Sequence, residues 1–236
     1  MNDDDTLSVA GPVEAFPWPE QLTARVVQAG AQPRLQGYDV QRDLALCYSF
    51  SDLLALSLTG ELPSPQASRA LQAAMVFLAP CSVAEAPSHA AVIARICGAQ
   101  AAGVLQAGVI TLAEQAASLV REHEPLRRWL ESPDSVLPAG CEATDDEQRT
   151  AVQNLRVALG EFAGQVSGLD RDPNLVAALL CTLFACGLRE PHQWVSVLVV
   201  ARLPAVAAEG FAAAPGDFRG YPMDLPHFRY EEDSHG

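Results

Sequence analysis

From Ser49 onward the chain is one apolar helical segment after another, each stopped by glycine or proline, and no stretch alternates polar and apolar residues for more than a few positions. That pattern argues against an α/β sheet and predicts an all-α fold. Ser49, with Asp52 three residues later, caps a predicted helix to Thr59, where Gly60 stops it and Pro63 follows. Ser64 and Pro65 open the next, which turns Ala70, Leu71, Ala74 and Met75 to one side. A third runs from Ser88 to Cys97, with Gly98 as a joint, and a fourth from Ala101 to Val120. In the fourth, Ala101, Ala102, Gly103, Ala107 and Gly108 make a small-residue face that lets helix backbones approach closely, within the chain or across a subunit contact.

The segment from Glu122 to Glu147 is polar and broken by Pro125, Pro133, Pro138 and Gly140, so it reads as a short helix followed by a long connection. Thr144 and Glu147 form a capping-box pattern for a helix reaching about Val166. Two strongly apolar helices close the series: Asn174 to Cys186, stopped by Gly187, and Pro191 to about Ala214, with Pro204 inside. Around this body, residues 1–34 are rich in proline and aspartate and read as an N-terminal arm, in which Phe16, Trp18 and Leu22 are placed to pack on the rest. Residues 215–236 read as a C-terminal tail that wraps the surface.

All 15 cationic side chains are arginine, and there is no lysine anywhere in the 236 residues. Schiff-base chemistry, a pyridoxal phosphate anchor and a phosphate-loop lysine are therefore excluded. Arginine remains for gripping carboxylates or phosphates bidentately, but its pKa keeps it from acting as a base. Twenty-nine carboxylates give a formal charge of −14, which repels phosphate backbones and anionic lipid and argues against nucleic-acid and membrane partners. The longest apolar run, Trp194 to Ala208, carries Arg202 and Pro204 and is short for a bilayer span. The acidic start, Met1 to Asp5, has no apolar stretch behind it and does not resemble a secretory signal. Cysteines at 47, 81, 97, 141, 181 and 186 include no CxxC pair and no histidine at ligand spacing, so no metal site is expected and a reduced, cytoplasmic compartment is.

Three stretches carry a resemblance. GYDVQRDLALCYSFSDLLALSLTGELPSPQ, residues 37–66, has a GYD-like turn, a helix and a GELP turn; PSHAAVIARICGAQAAGVLQAGVITL is a helix pair; and LVAALLCTLFACGLREPHQWVSVLVVARLPAVAAEGF ends in an ARLP motif. In this order and spacing they resemble the citrate synthase superfamily, most of all its short citryl-CoA lyase branch, over about residues 35–214. The resemblance implies a citrate-synthase-like helical bundle with a reduced small lobe at about 122–170. It also implies a homodimer, or a heterodimer with a catalytic homologue, and Claisen or retro-Claisen chemistry on a coenzyme A thioester or a small carboxylic acid. In such chemistry a carboxylate removes a proton alpha to the thioester, histidines stabilise the enolate, and arginines clamp the acid.

Carried over residue by residue, the resemblance assigns Arg202 of the ARLP motif to a substrate carboxylate and Asp172 of GLDRDPN to the catalytic base, although Asp172 before a proline also suits a helix N-cap. Family tails reach across the dimer, which makes Arg219 or Arg229 a candidate acid ligand in a partner's site. The histidines do not carry over. Counting back from Arg95, the first histidine position falls near Glu85; GVITLAEQAASLV runs as helix where an HGGA loop belongs; VLPAGCEATDDEQR holds no GHR segment; and the last histidine position is held by Ala208 and Glu209. None of His89, His123, His192, His227 and His235 stands on a catalytic position. Losing one oxyanion donor raises a barrier by about 3 kcal/mol, so losing several predicts a scaffold with little turnover by the usual route. The alternative expectation is an active lyase or acyltransferase with Asp172 as base, Arg202 as clamp, and His192 or His227 recruited from elsewhere.

Overall fold

The computed structural model describes residues 23–134 and 136–216. Phe16, Trp18 and Leu22 of the arm, and Arg219, His227, Arg229 and His235 of the tail, lie outside the described residues. The chain divides into two compact units at Ser49/Phe50.

The first unit holds a small antiparallel sheet, β1 (Val27–Gln28), β2 (Arg34–Leu35) and β3 (Tyr38–Asp39), in the order β1-β2-β3. Strands of two residues leave no room for alternation, which is why the sequence pattern does not announce them. Asp39 then accepts the backbone N–H groups of Gln41 and Arg42 at 2.9 Å and starts a wide helical turn, Val40–Leu44, that runs into α1 (Ala45–Cys47).

The described part of the second unit is built from helices, with one isolated antiparallel bridge between Glu142 and Pro173 in its connections. It contains α2 (Phe50–Thr59), α3 (Pro65–Leu78), α4 (Ala86–Ile96), α5 (Ala101–Glu122), α6 (Glu124–Glu131), α7 (Asp146–Leu159), α8 (Leu175–Ala185) and α9 (Pro191–Ala212). The all-α expectation holds, and most boundaries fall within a residue or two of the sequence reading. Two starts and one stop differ. The α7 cap is Asp145, whose carboxylate takes the Gln148 N–H at 2.8 Å while Gln148 reaches back to the Thr144 N–H, so the capping exchange sits one residue later than Thr144 and Glu147. The α7 helix also stops at Leu159, because Gly160 turns to a φ of 56° and the chain tightens into a 3-10 turn over Gly160–Gln165. Finally, α4 begins before Ser88: Glu85 is its N-cap residue, and the buried Ser88 hydroxyl donates to the Cys81 carbonyl at 2.9 Å.

Burial divides the helical unit into two cores. The larger gathers Leu71 of α3, Leu126 of α6, Leu155 of α7, Leu180 and Leu183 of α8, and Trp194 and Val197 of α9. Trp194 is fully buried and spends its one donor on the Leu188 carbonyl at 2.7 Å, so its indole carries no orphaned N–H into the core. The smaller core, Cys81, Ala91, Val104, Leu112 and Val206, lies where α4, α5 and α9 pack on one another.

Close approach in that smaller core depends on missing side chains. A Cβ built on Gly108 would stand 2.7 Å from Val206 Cγ1, and one on Gly210 would stand 2.7 Å from Val104 Cγ1 and 2.9 Å from Ala91 Cβ. The small-residue face of α5 therefore packs within the chain at Gly108, facing α9. The two 22-residue helices α5 and α9 are long and apolar enough to cross a membrane by length and composition, and much of their surface is uncovered. Leu105 and Ile110 of α5 and Phe211 of α9 are exposed by 38, 56 and 43 %.

Candidate functional site

Arg202 lies on α9 between the buried Leu198 and Val206, which fixes the helix rotation and sends the guanidinium toward the loop between α3 and α4. There it meets Glu85. Its Nη2 donates to Glu85 Oε2 at 2.6 Å and to the Pro80 carbonyl at 2.9 Å; its Nε donates to the same carbonyl at 3.2 Å, and its Nη1 reaches Gln115 Oε1 of α5 at 3.4 Å. The arginine side chain is only 17 % exposed and the glutamate 32 %. One guanidinium thus ties together the α3–α4 loop, α5 and α9.

Glu85 is held from its other side as well. Its Oε1 accepts the Ser82 N–H at 2.9 Å, and its Oε2 accepts Gln115 Nε2 at 3.3 Å. Burial alone would push this carboxyl upward, but the Ser82 N–H, the Arg202 guanidinium and Gln115 together outweigh it and hold Glu85 below the ordinary carboxylate range. It is a carboxylate, an acceptor only, and cannot donate to an enolate oxygen. The position that the resemblance reserves for a histidine is thus taken by an anion, and that anion occupies the fork of the arginine expected to clamp the substrate.

Asp172 sits elsewhere in the hydrogen-bond network. It closes the 3-10 turn Leu169–Arg171 in the left-handed conformation, with φ 53° and ψ 50°, and its Oδ2 accepts Arg149 Nε at 2.9 Å. It does not cap the following helix: Asn174 does, accepting the Ala177 N–H at 2.9 Å, because the bound left-handed turn leaves Asp172 two residues too early. Arg202 and Asp172 share no hydrogen-bond partner among the described residues. With side-chain exposures of 46 and 58 %, the Arg149–Asp172 pair is a surface ion pair. Replacing Asp172 by asparagine is expected to change the unfolding free energy by less than about 0.5 kcal/mol in a urea titration.

Of the other residues named from the sequence, His192 is exposed in the first turn of α9, and Ala208 and Glu209 are exposed near its end. The segment 108–120, where a catalytic loop belongs in the resemblance, is uninterrupted α5. Among the described residues no three histidine, cysteine, aspartate or glutamate side chains are grouped to hold a metal ion. Cys181 and Cys186 are buried thiols, each pushed up to about 12 by burial, so neither supplies a thiolate at neutral pH.

This arrangement of helices is a citrate-synthase-like fold. The structure matches citryl-CoA lyase from Hydrogenobacter thermophilus with a TM-score of 0.60 and 18 % identity, covering 91 % of this chain and 96 % of that one. It also matches the ATP citrate lyase of Methanothrix soehngenii, solved with citrate and coenzyme A, at a TM-score of 0.56 and 13 % identity, and that of Methanosaeta concilii, solved with (3S)-citryl-CoA, at 0.55 and 14 %. In both cases 92 % of this chain covers 43 % of the larger one, so it spans less than half of either ATP citrate lyase. No family model matches the sequence, and neither does any curated protein.

Proposed function

We propose that this chain is a citrate-synthase-type protein that has become catalytically degenerate and serves as a scaffold or partner subunit for a coenzyme A-dependent Claisen or retro-Claisen enzyme. The observation that carries the reading is the Glu85–Arg202 pair. A citrate-type acid needs a cationic fork facing open space, and here every nitrogen of that fork already has a partner from the chain itself. An incoming carboxylate has to displace a tethered one whose effective concentration is far higher than that of a free acid.

The uncovered apolar surface of α5 and α9 supports the subunit role. Exposed Leu105, Ile110 and Phe211 lie on the same helices that form the smaller core, and a second subunit would remove them from water. The partner is a second copy of this chain or a homologue bearing the histidines this one lacks.

The test is to assay the purified chain for citryl-CoA formation and cleavage, alone and with a histidine-bearing homologue from the same genome, while following their association by analytical ultracentrifugation. The expected result is no turnover by the lone chain and association through the α5/α9 surface, weakened by Ile110→Glu. Robust turnover by the lone polypeptide would overturn the proposal.

A further inference from the structure

A second arginine meets a cavity far along the chain from Glu85. The groove between α7 and the turns that follow it consists of two adjoining concavities of about 470 and 490 Å³, which share Arg156, Leu169 and Asp170. Those volumes are in the range of small-molecule sites. One half extends over Gln165 and Ser167, the other over Gln153 and the Arg149–Asp172 pair.

The charges lining the groove are not spent equally. Arg149 gives its Nε to Asp172, its Nη1 to Asp146 and its Nη2 to the Ala143 carbonyl. Among the described residues, Arg156 by contrast donates only to the Leu169 carbonyl, and no carboxylate stands within ion-pair distance of it. The next residue after that carbonyl, Asp170, has a side chain 77 % exposed, and its ion pair, to Arg171, is long at 3.5 Å. Once Arg149 and Asp172 neutralise each other, the groove presents one under-used cation and one under-used anion.

We propose that this groove binds a small zwitterion, an α-amino acid whose carboxylate is taken by Arg156 and whose ammonium is taken by Asp170. A dianion would gain at Arg156 but meet Asp170 within a chain of net charge −14, and a simple cation would meet Arg156. Only a ligand with both charges satisfies both groups. Gln153 and Ser167 have no side-chain hydrogen bond among the described residues and face the same groove, which favours an amino acid with a polar side chain. The site shares no residue with the Arg202 cluster, so it stands or falls separately from the function proposed above.

The experiment is isothermal titration calorimetry on the intact chain with L-serine and L-asparagine, using succinate and inorganic phosphate as anion-only probes. Binding of an amino acid is expected, weakened about tenfold by Arg156→Gln and about tenfold by Asp170→Asn, with no response to the anion-only probes. Circular dichroism checks that Asp170→Asn, a change at an exposed side chain, leaves the fold intact. Two results would overturn the assignment. One is succinate or phosphate binding that persists or tightens in Asp170→Asn, which defines a plain anion site; the other is the absence of heat with either amino acid.

Discussion

Replacing Glu85 by alanine is expected to lower stability by about 2 kcal/mol and at the same time to turn Arg202 into an open anion site. The loss has two sources. Arg202, 17 % exposed, loses its one carboxylate partner among the described residues and keeps a desolvated charge, and the Ser82 N–H loses its acceptor. Acetate or formate is about the size of the deleted carboxylate, so millimolar concentrations should restore part of the stability of Glu85→Ala and none in the parent, as read by urea titration with each salt against chloride at equal ionic strength. Glu85→Gln should cost less, because an amide oxygen still accepts from Arg202. No acetate-specific recovery in a folded Glu85→Ala protein would show that the fork does not select carboxylates.

The same pair sets a pH dependence. The folded-state carboxyl of Glu85 lies below its ordinary value of 4.5, so its contribution is complete above that value, declines as the pH falls below it, and is gone once the pH passes under the folded-state value. Glu85→Ala should therefore flatten the acid limb of the stability curve while leaving the neutral region parallel to that of the parent.

The second large effect belongs to Gly210. A valine there is expected to cost about 3 kcal/mol, because its Cβ must share space with Val104 Cγ1 at 2.7 Å and Ala91 Cβ at 2.9 Å, and the Ala91 backbone carbon follows at 3.4 Å. Val104 has little freedom to turn aside, being fully buried in the smaller core. Alanine at the same position makes the same first contacts but gains about 1 kcal/mol of helix propensity, so its net loss should be smaller. Gly164→Ala is the matched control: a Cβ there meets nothing within 4 Å, and stability should hold or rise slightly. If Gly210→Val melts with the parent, the three helices do not pack as closely as described.

Much of the helical fold is legible in the sequence, for a physical reason. Aliphatic residues recurring on one side of each segment, with Gly60, Gly98 and Gly187 just past the ends, state both the faces and the stops of helices whose stability comes from local contacts plus burial. The small sheet is not legible, since its two-residue strands are defined by backbone pairing between Val27 and Leu35, and between Leu35 and Tyr38, rather than by a side-chain pattern. The candidate site was half legible. Arg202 and the anomaly at Glu85 could both be named, but their pairing spans 117 positions and depends on how α9 is rotated by Leu198 and Val206. Gln115 and the Pro80 carbonyl gave no signal at all. Arg156 carries no signal in the sequence for the same reason: a lone arginine within a helix gains meaning only when the turn at Leu169–Arg171 closes against it.

The distribution of sulfur has a practical consequence. Cys81, Cys141, Cys181 and Cys186 are buried, while Cys47 and Cys97 are exposed, one in each compact unit. A maleimide spin label or fluorophore applied to the unaltered polypeptide should modify those two sulfurs first, placing one reporter on either side of the Ser49/Phe50 boundary. The natural chain thus already carries the attachment points for measuring a distance between its two parts in solution, without a cysteine being removed or introduced.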